Sequence, residues 1–223
     1  MIPLRSTPWE ELPELLVPAL GETATLVGIV VAVAMLLGTP LAFCLHNLSP
    51  RGLFPHPRVH AVLDLVVNVT RSLPFLVLMA AIIPLTRFVM GTSLGVAGAV
   101  LPLSVGAIPL YARLVESTLR AIPPELVDVA SVFGASRWQT MLGVQWRESV
   151  PGIISNLTIA IVAIVEYTTV AGAIGAGGIG FLALSYGYDR FDTNVMIATV
   201  AILVLFTQLL QRLGDRLSRA AIR

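Results

Sequence analysis

The chain has 223 residues, 56% of them hydrophobic and 12% charged, with a mean hydropathy of +0.87 and a formal charge of +1. Soluble domains carry about a quarter charged residues to face water, so a water-soluble globule is excluded and lipid must cover most of the surface. The near-neutral balance also excludes a basic field for gripping nucleic acid.

All fourteen cations are Arg, and the single cysteine, Cys44, forms no internal disulfide. Up to Glu22 the chain carries four acids, one cation in Arg5, and no small-residue cleavage site. A cleavable signal peptide is therefore not expected, and residues 1–22 read as an N-terminal periplasmic or interfacial segment.

A bilayer core takes about 20 apolar residues of helix, and five such segments follow in chain order. The first, 23–45, is uncharged and closes at a loop whose Pro50 and Gly52 break a helix. The second, 65–86, holds one charge, Arg71. Asp64, Asn68 and Arg71 fall at i, i+4 and i+7, a helical face about 10 Å long that cannot look at lipid. Two readings of this face stand. Asn68, Arg71 and Ser72 line a translocation route, or Arg71 is a structural cation bonded to Asp64 or to carbonyls freed around Pro74. The third segment, 93–112, follows a turn at Gly91–Gly95. At its inner end Glu116, with Arg113 and Arg120 at helical spacing, reads as a solvated ion-pair network.

Residues 123–150 carry more charge yet keep helix punctuation, and predict two short helices. Pro124 suits a first helical position, with Glu125 and Asp128 complementing the positive helix start. Gly134 ends that helix, Ser136 and Gln139 have capping-box spacing, and Pro151-Gly152 is expected to end the second helix before the next span. Ala130 and Gly134 also have the small-residue spacing of a DNA-reading helix-turn-helix. That reading fails because acids balance the arginines here and lipid anchors both flanks. An amphipathic hairpin lying on the membrane is the plainer alternative.

The fourth segment, 149–172, is interrupted by Glu166, about 22 Å along a helix from Pro151. Glu166 is either a gate or counter-charge on the route, or a carboxyl bonded to neighbouring Tyr and Thr side chains. Gly175-Ala-Gly-Gly-Ile-Gly180 matches a dinucleotide fingerprint only formally, since no strand precedes it. A turn or a close helix contact fits better. Tyr186–Asp192 reads as an interfacial loop, and 193–211 is the fifth segment. Pro74, Pro84, Pro102 and Pro109 imply kinks. His46, His56 and His60 lack partners for a metal site, and no catalytic cluster or phosphate loop is present.

Cations collect on the cytoplasmic side. With the N-terminus outside, ten arginines from Arg51 to Arg223 lie inside, against Arg5, Arg87 and Arg190 outside. The expected fold is an all-α membrane protein with five transmembrane helices, N-out and C-in. A transmembrane domain covers 23–212, a cytoplasmic helix pair lies between spans three and four, and an Arg-rich cytoplasmic tail covers 213–223.

Glu125-Leu-Val-Asp128-Val-Ala130-Ser-Val-Phe-Gly134-Ala135, followed by Pro151-Gly152, resembles the EAA loop of bacterial ABC importer permeases. Asp128 stands where that family has Glu, Val129 where it has Ala, and Trp146-Arg147 where it favours Leu-Pro. The segments Arg71–Phe75, Pro84–Arg87, Gly91–Gly95, Gly175–Gly180, Tyr186–Tyr188 and Asn194–Met196 are together similar to the permeases of methionine ABC importers. The resemblance implies a homodimeric, non-enzymatic permease subunit of the bacterial inner membrane. Glu125, Asp128, Ala130, Gly134 and Ala135 would couple to a cytoplasmic ATPase that itself binds ATP and Mg, this chain holding no cofactor. An extracytoplasmic substrate-binding protein would deliver methionine, in the D or L form, or else another amino acid or an osmolyte. A stand-alone channel or a membrane enzyme would need a pore without a coupling loop, or a catalytic cluster.

Overall fold

The computed structural model describes residues 6–221, apart from the side chains of residues 215 and 219–221. All regular elements among the described residues are helical. α1 (Leu12–Asn47) runs for 36 residues and starts inside the segment expected to precede the first span. α2 (Pro57–Ser72), α3 (Phe75–Ala81) and α4 (Ile83–Met90) follow, then α5 (Gly95–Arg120). Next come α6 (Pro124–Val132), α7 (Arg137–Gln139), a π-helical turn (Thr140–Gln145) and α8 (Trp146–Gly172). α9 (Gly178–Leu182), a second π turn (Ala183–Tyr188) and α10 (Thr193–Ala221) complete the chain.

Among the described residues four helices are long and apolar enough to cross a membrane, or five if the bent pair of α2 and α3 is one span. The kink expected at Pro74 within the second segment, 65–86, is a sharp break between two helices. α2 and α3 meet at 106°, because Pro74 removes a helical donor and forces Leu73 into an extended conformation, φ −83°, ψ 134°. Pro84 sits in the first turn of α4, where its missing N–H has no helical partner to lose.

The core forms where α1, α5 and α8 meet, around Leu26, Val30, Leu103, Tyr111 and Ile164. Lipid is as apolar as leucine, so close packing and hydrogen bonds hold such helices rather than water exclusion. Gly38 supplies one close approach: a Cβ there would stand 3.0 Å from the Tyr111 ring. Asn156 supplies a hydrogen-bonded one, donating to Leu114 O and to Thr118 Oγ1, each at 2.7 Å.

Pro151-Gly152 does not end a helix, contrary to the sequence expectation. The helical track runs unbroken from Arg137 to Gly172. A Cβ on Gly152 would collide with Thr118, so this glycine gives clearance for the α5–α8 contact instead of a stop.

The opposite end of the bundle is tied across the chain. Asp192 caps α10 by accepting from Val195 N–H at 3.1 Å, and also accepts from the amide of Thr7 at 2.8 Å and from its hydroxyl. Burial opposes its ionisation, but these donors prevail and hold the carboxyl below its ordinary range. Gly177 and Gly178, with φ of 82° and 76°, turn the chain so that Gly178 N–H meets Glu22 at 2.7 Å and Ile179 N–H meets Thr23 Oγ1 at 2.9 Å. The glycine run is thus a turn in close contact with α1, one of the two forms expected of it.

Candidate functional site

α6 and its turn are built from local signals. Pro124 opens the helix with Glu125 in the first turn. Gly134 adopts φ +78°, a region that costs other residues roughly 1–2 kcal/mol. Its N–H donates to Ser131 O at 3.0 Å while Ala135 N–H donates to Ala130 O at 3.0 Å, the paired bonds of a Schellman cap. Ser136 and Gln139 then form a complete capping box, with Ser136 N–H to Gln139 Oε1 at 2.8 Å and Gln139 N–H to Ser136 Oγ at 3.3 Å.

This well-formed segment buries little. None of the α6 residues is buried. Val132 is 83% exposed, Phe133 86% and Trp138 62%. Glu125, Asp128 and Gly134 are exposed, and Ala130 and Ala135 half-buried. Behind the segment, Trp138 packs on Phe54 at 5.0 Å, Trp146 on Phe43 at 5.7 Å, and buried Asn47 donates to buried Gln145 at 2.9 Å. A firm base therefore presents an unpartnered apolar tip.

Beside this base lies a polar network that the sequence only half reveals. Glu116 accepts from Arg113 Nη1 at 2.6 Å and from Arg120 Nη2 at 2.6 Å. It is 1% exposed, so the network expected to be solvated at this helix end has a buried centre, while Arg120 at 59% keeps its contact with water. Arg113 reaches across to α2, pairing with Asp64 and donating to Asn68 Oδ1 at 2.9 Å. Asn68 in turn donates to Asp64 at 2.9 Å. The four charges cancel within one contact, which is the condition for burying Glu116 at its centre.

Arg71 stands apart from this network. The bonding of Arg71 to Asp64 weighed from the sequence is not formed, because Arg113 occupies that carboxylate. Arg71 is exposed, and among the described residues no hydrogen-bond or ion-pair partner meets it. Ser72 donates to Val69 O at 2.8 Å, closing α2.

Glu166 is exposed on a groove with Ser155, Thr158 and Gln211. Its threonine neighbours do not bond it. Thr168 and Thr169 both donate to Val165 O, at 2.7 and 3.1 Å, while Tyr167 stacks on Phe75. The structure therefore joins Asn68 to the α5 network, leaves Arg71 on a separate small cavity, and puts Glu166 on the α8–α10 side. His46, His56 and His60 form no metal-binding group with other ligands among the described residues. Sequence spacing pointed to Glu116 and its arginines, but only α2 packing reveals Asp64 as their fourth member.

Comparison with known proteins fits this arrangement. A probable D-methionine transport system permease protein MetI of Vibrio cholerae is 42% identical over 206 residues, 92% of each chain. The methionine import system permease protein MetP of Bacillus subtilis is 35% identical over 167 residues, 75% of each chain. A solved structure described as inward-facing conformations of the MetNI methionine ABC transporter superposes with a TM-score of 0.93 at 34% identity. It covers 97% of this chain and 100% of that one. The family model for the binding-protein-dependent transport system inner membrane component matches residues 34–223. The chain therefore belongs to the family of binding-protein-dependent transport system inner membrane components, and is a multi-pass transport permease of the inner membrane.

Proposed function

We propose that this chain forms the translocation pathway of an ATP-driven methionine importer and couples it, through α6 and the following turn, to a cytoplasmic ATPase. The carrying observation is the exposed apolar tip. Val132 and Phe133 sit at 83% and 86% exposure, on a segment whose backbone is fixed by two caps. An ordered surface of that kind fits a partner seated on it. In this reading Glu125, Asp128, Ala130, Gly134 and Ala135 form the seat, the N-terminus lies outside and the C-terminus inside. The chain works as a homodimer fed by an extracytoplasmic binding protein. ATP and Mg belong to the partner. Residues 1–22 form the outer segment, 23–212 the permease body and 213–223 the inner tail.

Methionine as cargo rests on the relatives' names, and the same machinery could carry another amino acid or an osmolyte. Asn68, Arg71, Ser72 and Glu166 are proposed as pathway or gate residues. The decisive test of coupling is Gly134→Asp. A Cβ on Gly134 meets nothing within 4 Å, so the change strains φ and intrudes on a seated partner without damaging the bundle. Membrane insertion is expected to be normal, with ATPase copurification and ATP-driven uptake lost. Normal copurification and uptake would overturn the coupling role.

A further inference from the structure

Arg71 is a charge within a membrane segment that the fold does not pair. Arg113 and Arg120 are matched by Asp64 and Glu116, yet Arg71 lies one turn from the α2–α3 break with no hydrogen-bonded or ion-paired neighbour among the described residues. A guanidinium at membrane depth costs several kcal/mol unless an anion or water compensates it. Its planar fork suits a carboxylate.

Arg71 opens onto a cavity of about 140 Å³ that also includes Phe75, Leu78, Gly106, Leu110 and Tyr167. Phe75 and Tyr167 are stacked with ring centroids 4.3 Å apart and planes 9° apart. Gly106 keeps one side clear: a Cβ there would stand 3.2 Å from Phe75 Cδ2 and 3.6 Å from Tyr167 Cε2. No acid lines the cavity, and the nearby Thr70 hydroxyl is spent on Val66 O at 2.9 Å. One cation beside aromatic and aliphatic walls suits a carboxylate on a small apolar body, and the ring faces can meet an ammonium. Cavities of this order hold a body about the size of benzene, and a thioether gains further by lying against aromatic rings.

We propose that Arg71 and the Phe75–Tyr167 stack form a station that holds an apolar amino acid in transit, its carboxylate on the guanidinium and its side chain against the rings. This rests on the reading of the chain as an amino-acid permease and adds the site. Glu166 is not part of it, since Glu166 lines a groove toward α10.

The test uses the permease–ATPase complex in detergent, irradiated with a diazirine analogue of methionine and mapped by peptide mass spectrometry. Label is expected on residues 70–78, on residues 106–110 or at Tyr167. Excess methionine should compete it away, whereas methionine amide, which lacks the carboxylate, should not. Arg71→Gln should lower this labelling roughly tenfold or more, the scale of a lost charge-assisted hydrogen bond, and Gly106→Val should lower it by filling the cavity. If Arg71→Gln does not assemble, the amide competition in the wild-type complex decides alone. Label confined to other segments, equal competition by the amide, or unchanged labelling in Arg71→Gln would each overturn the station. So would full uptake by an Arg71→Gln, Glu166→Gln double variant where Arg71→Gln alone is inactive, which would make the pair an ion bridge between two copies. The underlying permease reading fails separately, if the wild-type complex with its binding protein carries no methionine in proteoliposomes.

Discussion

The two ends of the bundle are held in opposite ways. At the end carrying α9, residues far apart in sequence are tied together: Thr7 to Asp192, Asn194 to Thr7, Glu22 to Gly178 and Thr23 to Ile179. At the end carrying α6, the bonds of the helix pair are local, and its apolar side chains face outward. One end is closed within the chain. The other leaves contact surface to be completed by something else, and the Asp64–Arg113–Glu116–Arg120 network, buried at Glu116 and open to water at Arg120, is the platform beside it. A segment that must receive force from a partner gains from a rigid base and an open tip, whereas cross-chain ties keep the far end from yielding.

The platform is where the comparison breaks most readily. Glu116→Leu would take one of its two carboxylates from Arg113, whose side chain is 15% exposed, while Arg120, at 59%, would turn to water. Removing one partner of a buried pair costs about 3–5 kcal/mol. Such a loss should appear as failed assembly or a strongly lowered melting temperature in detergent. A variant as stable as wild type would mean that the network does not support this end.

A smaller effect is expected at the tied end. Asp192→Asn keeps the shape but loses the charge on bonds from Thr7 and Val195, a loss of about 1–3 kcal/mol. The sign with pH follows from the depressed carboxyl. Its stabilisation is complete above the ordinary Asp range near 3.9 and is lost as pH falls through the lower folded value. Melting temperature against pH should thus fall on acidification in the wild type, and more shallowly in Asp192→Asn. Parallel curves would remove Asp192 from the account.

What could be read in the sequence divides along the same line. The caps of the α6 segment were legible because Gly134, Ser136 and Gln139 act on backbone within a few residues. The Thr7–Asp192 tie was not, because its partners lie 185 residues apart. Asp64, Asn68 and Arg71 share a helical spacing that invited a pair between Asp64 and Arg71. The structure gives Asp64 to Arg113, 49 residues away, since pattern assigns a face and not a partner. Pro74 announced a break, but its 106° depends on what α3 packs against. Pro151-Gly152 looked like a stop because its role, clearance for Thr118, belongs to tertiary packing.

The smallest expected change in stability carries the sharpest distinction between the ends. Phe133 is 86% exposed at the C-terminal end of α6, where its backbone N–H donates to Val129 O at 3.1 Å. Its side chain adds almost nothing to the packing of this chain. Phe133→Ala should therefore shift unfolding by no more than about 0.5 kcal/mol, as exposed substitutions do. If a partner seats on the tip, the same change removes a large aromatic contact at the centre of that interface, where truncations cost about 2 kcal/mol or more. Measured on one preparation, the melting temperature should hold while ATPase retention falls roughly tenfold or more. Loss of stability would mean that Phe133 packs within the permease itself. Stability and retention both unchanged would mean that the exposed tip is not the seat.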